Sequence, residues 1–317
     1  MKRFLLLSVS LVFALMLTTP SQAQHKDDGV LRILAIGNSF SDDGMEYLPA
    51  LLENLDIENV EVARLYVGGC TLEQHITFYD KNESPYKFYH SKAGENKWSE
   101  SEQKVSMQYA LNLGEWDIIT LQQASGYSGM YDSYTPHLGS LIEVIKKAQP
   151  NAELVWHMTW SYSSDSNHRH FAHYDNNQQT MNNAIDNCLE TMLGEFDAFK
   201  RIIPSGTVVK SLRKSAINNY PKDLTRDGFH MGYGAGRYAL ACTWYETLVK
   251  PYTGVSMWGN TLRVCGGLVS VSDAVALYCQ KAAKQAAKSP FKVRPVKVSA
   301  AKLAKAEGNK EQTIRIK

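Results

Sequence analysis

The sequence predicts an α/β fold, a three-layer α/β/α sandwich around a parallel sheet of about five strands. Two observations carry this. Five short runs rich in apolar and β-branched residues recur along the chain, and helix-patterned segments separate them with no repeat of fixed period. Strands that alternate with helices pair in parallel through crossovers and leave helices on both faces of the sheet.

The first strand is "VLRILAIG" (30–37), a continuous apolar run as expected for a strand buried on both faces. "EYLPALLENL" (46–55) has helical spacing, and "NVEVARLYVG" (59–68) is the second strand. "TLEQHITFY" (71–79) reads as a helix opened by a Thr cap. Residues 80–104 are polar and aromatic, an excursion with a weak helix, before a helix at 104–113. "WDIITLQ" (116–122) is the third strand, and residues 135–150 form a helix with Pro136 in its first turn. "AELVWHMTW" (152–160) is the fourth strand. A long loop rich in aromatics and histidines (161–177) leads to a helix at 178–193 and a fifth strand, "KRIIPSG" (200–206). Helices follow at 208–216, 231–249 and 271–287, and the remaining residues lack periodicity.

The first 23 residues have a basic start, an apolar stretch and small residues Ser21 and Ala23 before Gln24, which reads as a secretory signal peptide. No later run is long and apolar enough for a membrane span. The domain is then expected over 24–288, with a basic, poorly ordered tail at 289–317. Without Lys2 and Arg3 the chain carries 32 basic and 32 acidic residues, so nothing in its charge calls for a nucleic-acid partner. The basic excess sits in residues 281–317, with eleven Lys or Arg against two Glu, and reads as a solvated face. The five scattered cysteines are too few for a disulfide scaffold. Cys265 and Cys279 either pair or remain buried thiols.

Ligands of parallel α/β sheets bind at the carboxyl ends of the strands. That places Asn38 and Ser39, Gly68 and Gly69, Gln122 and Gln123, and Trp160 with the loop after it near one rim. Ser39 is either a helix cap or a nucleophile, since a serine hydroxyl needs a base and an exposed turn to attack. In "TRDGFHMG", Asp227 and His230 come from one turn. A carboxylate on one ring nitrogen holds a histidine in the tautomer a general base requires. Oxyanion donors aimed at the developing alkoxide would be the N–H groups of Ser39 and Gly69 and the amide of Gln122 or Gln123.

Taken in order, "GNSFS", "GGCTLEQH", "WDIITLQQAS" and "RDGFHMG" resemble the SGNH (GDSL-like) hydrolases, and most closely a bacterial domain-of-unknown-function branch of that superfamily (DUF4886-like). The resemblance covers roughly residues 30–250. It implies a flavodoxin-like sandwich and a Ser39–His230–Asp227 triad with Ser39, Gly69 and Gln122 at the oxyanion. Asn38 stands where the family usually has Asp, and "LQQAS" replaces its Gly-x-Asn-Asp block.

The expected activity is that of an exported serine esterase that needs no cofactor and deacylates an esterified carbohydrate or smaller ester. Gln123, Trp160, Tyr162 and His168 would line the substrate. A non-catalytic carbohydrate-binding or scaffold protein on a degenerate hydrolase fold, or a lipid or thioester hydrolase, are the alternatives. His168, His170 and His173 have spacing that can chelate, but no separated fourth ligand is visible, so no metal is expected. His75 reads as a packed helix residue, and the glycines of "GYGAG" as close helix packing rather than a phosphate cradle.

Overall fold

A computed structural model describes residues 28–265 and 269–307. The segment at 1–23 that reads as a signal peptide lies outside the described residues. The five apolar runs become five parallel strands: β1 (Leu31–Gly37), β2 (Val60–Tyr66), β5 (Ile118–Leu121), β6 (Glu153–His157) and β7 (Phe199–Ile203). Two short strands, β3 (Lys87–Ser91) and β4 (Ser99–Glu100), extend the sheet beyond β2 in the antiparallel sense. The full order is β4-β3-β2-β1-β5-β6-β7. Its parallel part therefore runs second, first, third, fourth, fifth, the flavodoxin-like doubly wound order, whose direction reverses between β1 and β5.

The antiparallel edge corrects the expected excursion with a weak helix at 80–104. "KFYHS" places Phe88 and Ser91 toward the interior and pairs residue by residue with β2. Lys87 is exposed and Tyr89 and His90 are half-buried, so the run is neither a continuous apolar stretch nor a clean alternation, which is why this segment reads as irregular from composition.

The helices are α1 (Ser39–Met45), α2 (Leu48–Asn54), α3 (Leu72–Asp80), α4 (Met107–Asn112), α5 (His137–Ala148), α6 (Gln178–Glu195), α7 (Ser205–Arg213), α8 (Ala235–Trp244), α9 (Lys250–Thr253), α10 (Asp273–Lys288) and α11 (Ala300–Glu307). Helices α1, α2, α7, α8 and α10 pack with one another, and α3, α4 and α5 form a separate group. Between them lies the sheet, with six of the seven β1 residues buried. No helix among the described residues is long and apolar enough to cross a membrane.

Over residues 290–298 the chain after α10 is tied to the domain rather than left as a solvated tail. The Arg294 N–H donates to Ser211 Oγ at 3.2 Å and the Val296 N–H to Ser215 Oγ at 2.8 Å, so residues 290–298 strap α7 before α11 begins. Hydroxyls in α7 and just after it provide acceptors for a strap whose own sequence has no periodicity. Cys70, Cys188, Cys242 and Cys279 are buried; the side chain of Cys265 lies outside the described residues.

Candidate active site

β1 ends at Gly37, and the next two residues divide the roles expected of one. Asn38 is the N-cap of α1: it is extended (φ −137°) and its Oδ1 accepts the Phe40 N–H at 3.0 Å. Ser39 is the first helical residue and is half-buried. A residue at this position has no intrahelical acceptor for its own N–H. Capping therefore belongs to Asn38, and the hydroxyl and N–H of Ser39 are left for other work.

The turn after β2 is tied to the same residue. Asn38 Nδ2 donates to the Cys70 carbonyl at 3.1 Å, and the Val67 N–H donates to the Gly37 carbonyl at 3.5 Å. Gly69, beside Cys70, is exposed with φ +65°, a left-handed conformation that glycine adopts without penalty. Its N–H donates to no acceptor among the described residues. Two backbone N–H groups, on Ser39 and Gly69, thus flank one anchoring side chain.

The Asp-x-x-His turn has the expected geometry. Asp227 Oδ2 lies 2.7 Å from His230 Nδ1, and Asp227 Oδ1 accepts the His230 N–H at 2.8 Å and the Phe229 N–H at 3.3 Å. Burial acts to raise the Asp227 pKa, but the bonds from the His230 ring and backbone outweigh it and hold the carboxyl below its usual range. An ionised Asp227 on Nδ1 puts the proton there and leaves Nε2 with its lone pair. His230 Nε2 is buried and makes no hydrogen bond, with Ser39 or any other group, among the described residues. Catalytic hydrogen bonds in ligand-free enzymes are often long and tighten when substrate binds.

Two sets of contacts hold this turn against the sheet. From α1, the fully buried Asp43 accepts the Met231 N–H at 2.8 Å, Arg226 Nη1 at 2.9 Å and Arg237 Nε at 2.8 Å. From the loop after β6, Trp160 Nε1 donates to the Phe229 carbonyl and the Ser163 N–H to the Gly228 carbonyl, each at 2.8 Å. The Trp160 ring stacks on Phe40 at 4.1 Å, and Phe40 meets the edge of His230. Trp160 and Phe40 are each 1 % exposed, so this stack is core beneath the triad. Asp43 was not singled out in the sequence. Its signal was a second acidic residue directly after Asp42 on a helix that is otherwise buried.

Several expected site residues have structural roles instead. Gln122 is 1 % exposed, and its amide nitrogen donates to Asn38 Oδ1 at 2.8 Å, so the amide supports the turn and is not presented to an oxyanion. Gln123 is equally buried. Its Oε1 accepts the Leu72 and Ala124 N–H groups and its nitrogen donates to Ser133, so it joins α3 to the loop after β5 and cannot line substrate. Trp160 and Tyr162 are buried; Tyr162 bonds Ser125 at 3.0 Å and packs on Phe171. The fourth strand ends at His157, so Trp156 and Trp160 do not share one strand face. Trp156 packs against Tyr134 and Phe199.

His168 remains at the rim. It is half-buried with its ring 4.6 Å from that of Phe229, which lies 4.0 Å from that of His230. Burial lowers its pKa, as do the neighbouring Arg169 and His230. His170 stacks on His173 at 5.1 Å and accepts from Arg169 Nε, and no group of three or more potential ligands among the described residues could hold a metal. His75 is fully buried against Tyr86, and burial pushes its pKa down to about 3.

A doubly wound sandwich that sets a serine after β1, an unpaired N–H after β2 and an Asp-x-x-His pair beside them is the arrangement the sequence motifs lead one to expect. The model of the domain of unknown function DUF4886 matches residues 32–259, and the chain belongs to that family. A DUF4886 protein from Bacteroides uniformis is 33 % identical with a TM-score of 0.75, over 84 % of this chain and 98 % of that one. A candidate SGNH hydrolase from Slackia heliotrinireducens is 21 % identical with a TM-score of 0.48, over 69 % and 98 %. An acetylxylan esterase from Geobacillus stearothermophilus is 11 % identical with a TM-score of 0.42, over 72 % and 95 %. No curated protein matches the chain.

Proposed function

We propose that this protein is a serine esterase in which Ser39, His230 and Asp227 act as the triad. The observation that carries the reading is the 2.7 Å contact of Asp227 with His230 Nδ1, combined with a buried Nε2 that has no partner among the described residues. Ser39 Oγ attacks the acyl carbon of an ester while Nε2 takes its proton. The Ser39 and Gly69 N–H groups hold the oxyanion. Collapse breaks the acyl–oxygen bond, and the alcohol leaves with the proton from His230. Water, deprotonated at Nε2, then attacks the acyl-serine and releases the acid. No cofactor enters these steps.

The substrate is proposed to be an acetylated carbohydrate. The support is the rim at Phe229 and His168, an aromatic face beside the reacting atoms, together with the leader at residues 1–23, which would export the chain to the periplasm or beyond. The decisive measurement is p-nitrophenyl acetate hydrolysis by wild type and Ser39→Ala. The expected loss is about a thousandfold or more. Equal rates would return the chain to a non-catalytic binding role. Acetate release from an acetylated oligosaccharide, compared with a longer-chain acyl ester, then separates the carbohydrate reading from a lipid esterase.

A further inference from the structure

Behind the nucleophile turn runs a chain of buried polar side chains that does not include the triad. Ser205 Oγ lies 2.9 Å from His157 Nε2, and His157 Nδ1 lies 2.7 Å from Gln122 Oε1. Gln122 Nε2 lies 2.8 Å from Asn38 Oδ1, and Asn38 Nδ2 lies 3.1 Å from the Cys70 carbonyl. All four side chains belong to residues no more than 2 % exposed.

Backbone groups at one end fix the direction of every link. The Cys70 carbonyl can only accept, so the nitrogen of Asn38 faces it. Asn38 Oδ1 then accepts both the Phe40 N–H and the Gln122 nitrogen. The Gln122 oxygen consequently faces His157, whose Nδ1 must carry a proton. Burial lowers the His157 pKa to about 3, so the ring is neutral and its Nε2 accepts the Ser205 hydroxyl. Reversing any one link would orphan a buried donor or acceptor, which is costly.

The chain joins the ends of β1, β5 and β6, the start of α7 and the turn after β2. Its hub must be an amide. A carboxylate at position 38 has no donor for the Cys70 carbonyl, and a carboxylate at 122 has none for Asn38. The two departures from the SGNH pattern, Asn38 and Gln122, are therefore matched to each other.

We propose that His157 and Gln122 are positioning residues for the oxyanion hole, holding Asn38 so that the N–H groups of Ser39 and Gly69 converge on one point. The inference rests on the esterase reading. It is tested by steady-state kinetics on p-nitrophenyl acetate, with each rate divided by the concentration of serine titrated by a fluorophosphonate. His157→Phe, which keeps a ring and removes both links, is expected to lower kcat about 10- to 100-fold, as a small displacement of aligned groups does, with KM within about twofold. Asn38→Asp and Gln122→Glu are expected to do the same. His157→Gln, which can donate to Gln122 and accept from Ser205, recovers most of the loss. If His157→Phe does not fold, Asn38→Asp, Gln122→Glu and His157→Gln carry the test. A kcat within about twofold of wild type for the folded disrupting variants overturns the inference, as does a loss that disappears on division by titrated serine. Absence of Ser39-dependent turnover in wild type is a different failure: it overturns the esterase reading, and the inference with it.

Discussion

Two polar networks meet at α1, and they are built from different chemistry. On the inner side the Ser205–His157–Gln122–Asn38 chain is neutral, with each bond directional. On the other side Asp43 is a single buried carboxylate gripping two guanidiniums and a backbone N–H. A charge attracts from any direction, so the Asp43 clamp fixes how closely the 226–231 turn approaches α1. An amide and an imidazole have one correct orientation, so the inner chain bears on how the nucleophile turn after β1 is aimed. Strength and aim are thereby assigned to separate residues, and substitution can separate them.

The largest effect on this comparison is expected within the turn that the clamp holds. Asp227→Asn keeps the shape of the pair but can leave His230 in the wrong tautomer, and kcat should fall by about 10³ to 10⁴-fold with little change in thermal stability. A loss below about tenfold would remove Asp227 from the triad.

Next is the clamp itself. Asp43→Ala leaves Arg226 and Arg237 without their shared partner and should cost about 3–5 kcal/mol in urea unfolding, since breaking a buried pair strands its charges. Asp43 differs here from a surface acid such as Asp197, whose loss should be close to neutral. An Asp43→Ala variant as stable as wild type would show that the guanidiniums need no clamp.

The neutral side gives a pH signature. His157 and His75 each have a folded pKa near 3 against an ordinary 6.5, because burial disfavours the charged ring. The unfolded chain takes up these protons first as pH falls. Stability from this source is therefore complete above about pH 6.5 and is lost between there and pH 3, by about 1.4 kcal/mol per pH unit for each histidine. Unfolding measured at pH 7, 6 and 5 should show this slope, and His157→Phe should remove about half of it. A slope unchanged by that substitution would mean that His157 titrates in the folded protein.

The smallest effect concerns the support from β6. Trp160→Phe keeps an aromatic ring on Phe40 but removes the 2.8 Å bond to the Phe229 carbonyl, which should cost about 1 kcal/mol. kcat should stay within about threefold. A larger loss in kcat would make Trp160 a residue that aims the histidine turn, as the inner chain aims the nucleophile turn.

The core strands and the Asp-x-x-His turn were legible in the sequence for simple reasons. Strands buried on both faces leave continuous apolar runs, and a turn three residues apart brings its own two groups together. The strand β3 was not legible, because a run with buried, half-buried and exposed residues carries no clear period. The loop after β6 was misread for a related reason. Aromatic and polar residues at 160–174 have the composition of a substrate wall, yet Trp160 and Tyr162 are needed beneath the catalytic turn and are buried there. His157 carried a signal that composition alone could not interpret, a histidine inside an otherwise apolar strand.

The sequence by itself determined the alternation of parallel strands with helices, the serine after β1 and the pairing of Asp227 with His230, because each depends on local periodicity or on residues close in the chain. Only the tertiary structure decided that Asn38, not Ser39, caps α1, that Gln122 supports the turn from inside, and that Asp43 holds the histidine turn from 188 residues away. A buried polar group is defined by the partner it finds. Those partners lie on other strands and helices, and no spacing along the chain specifies them.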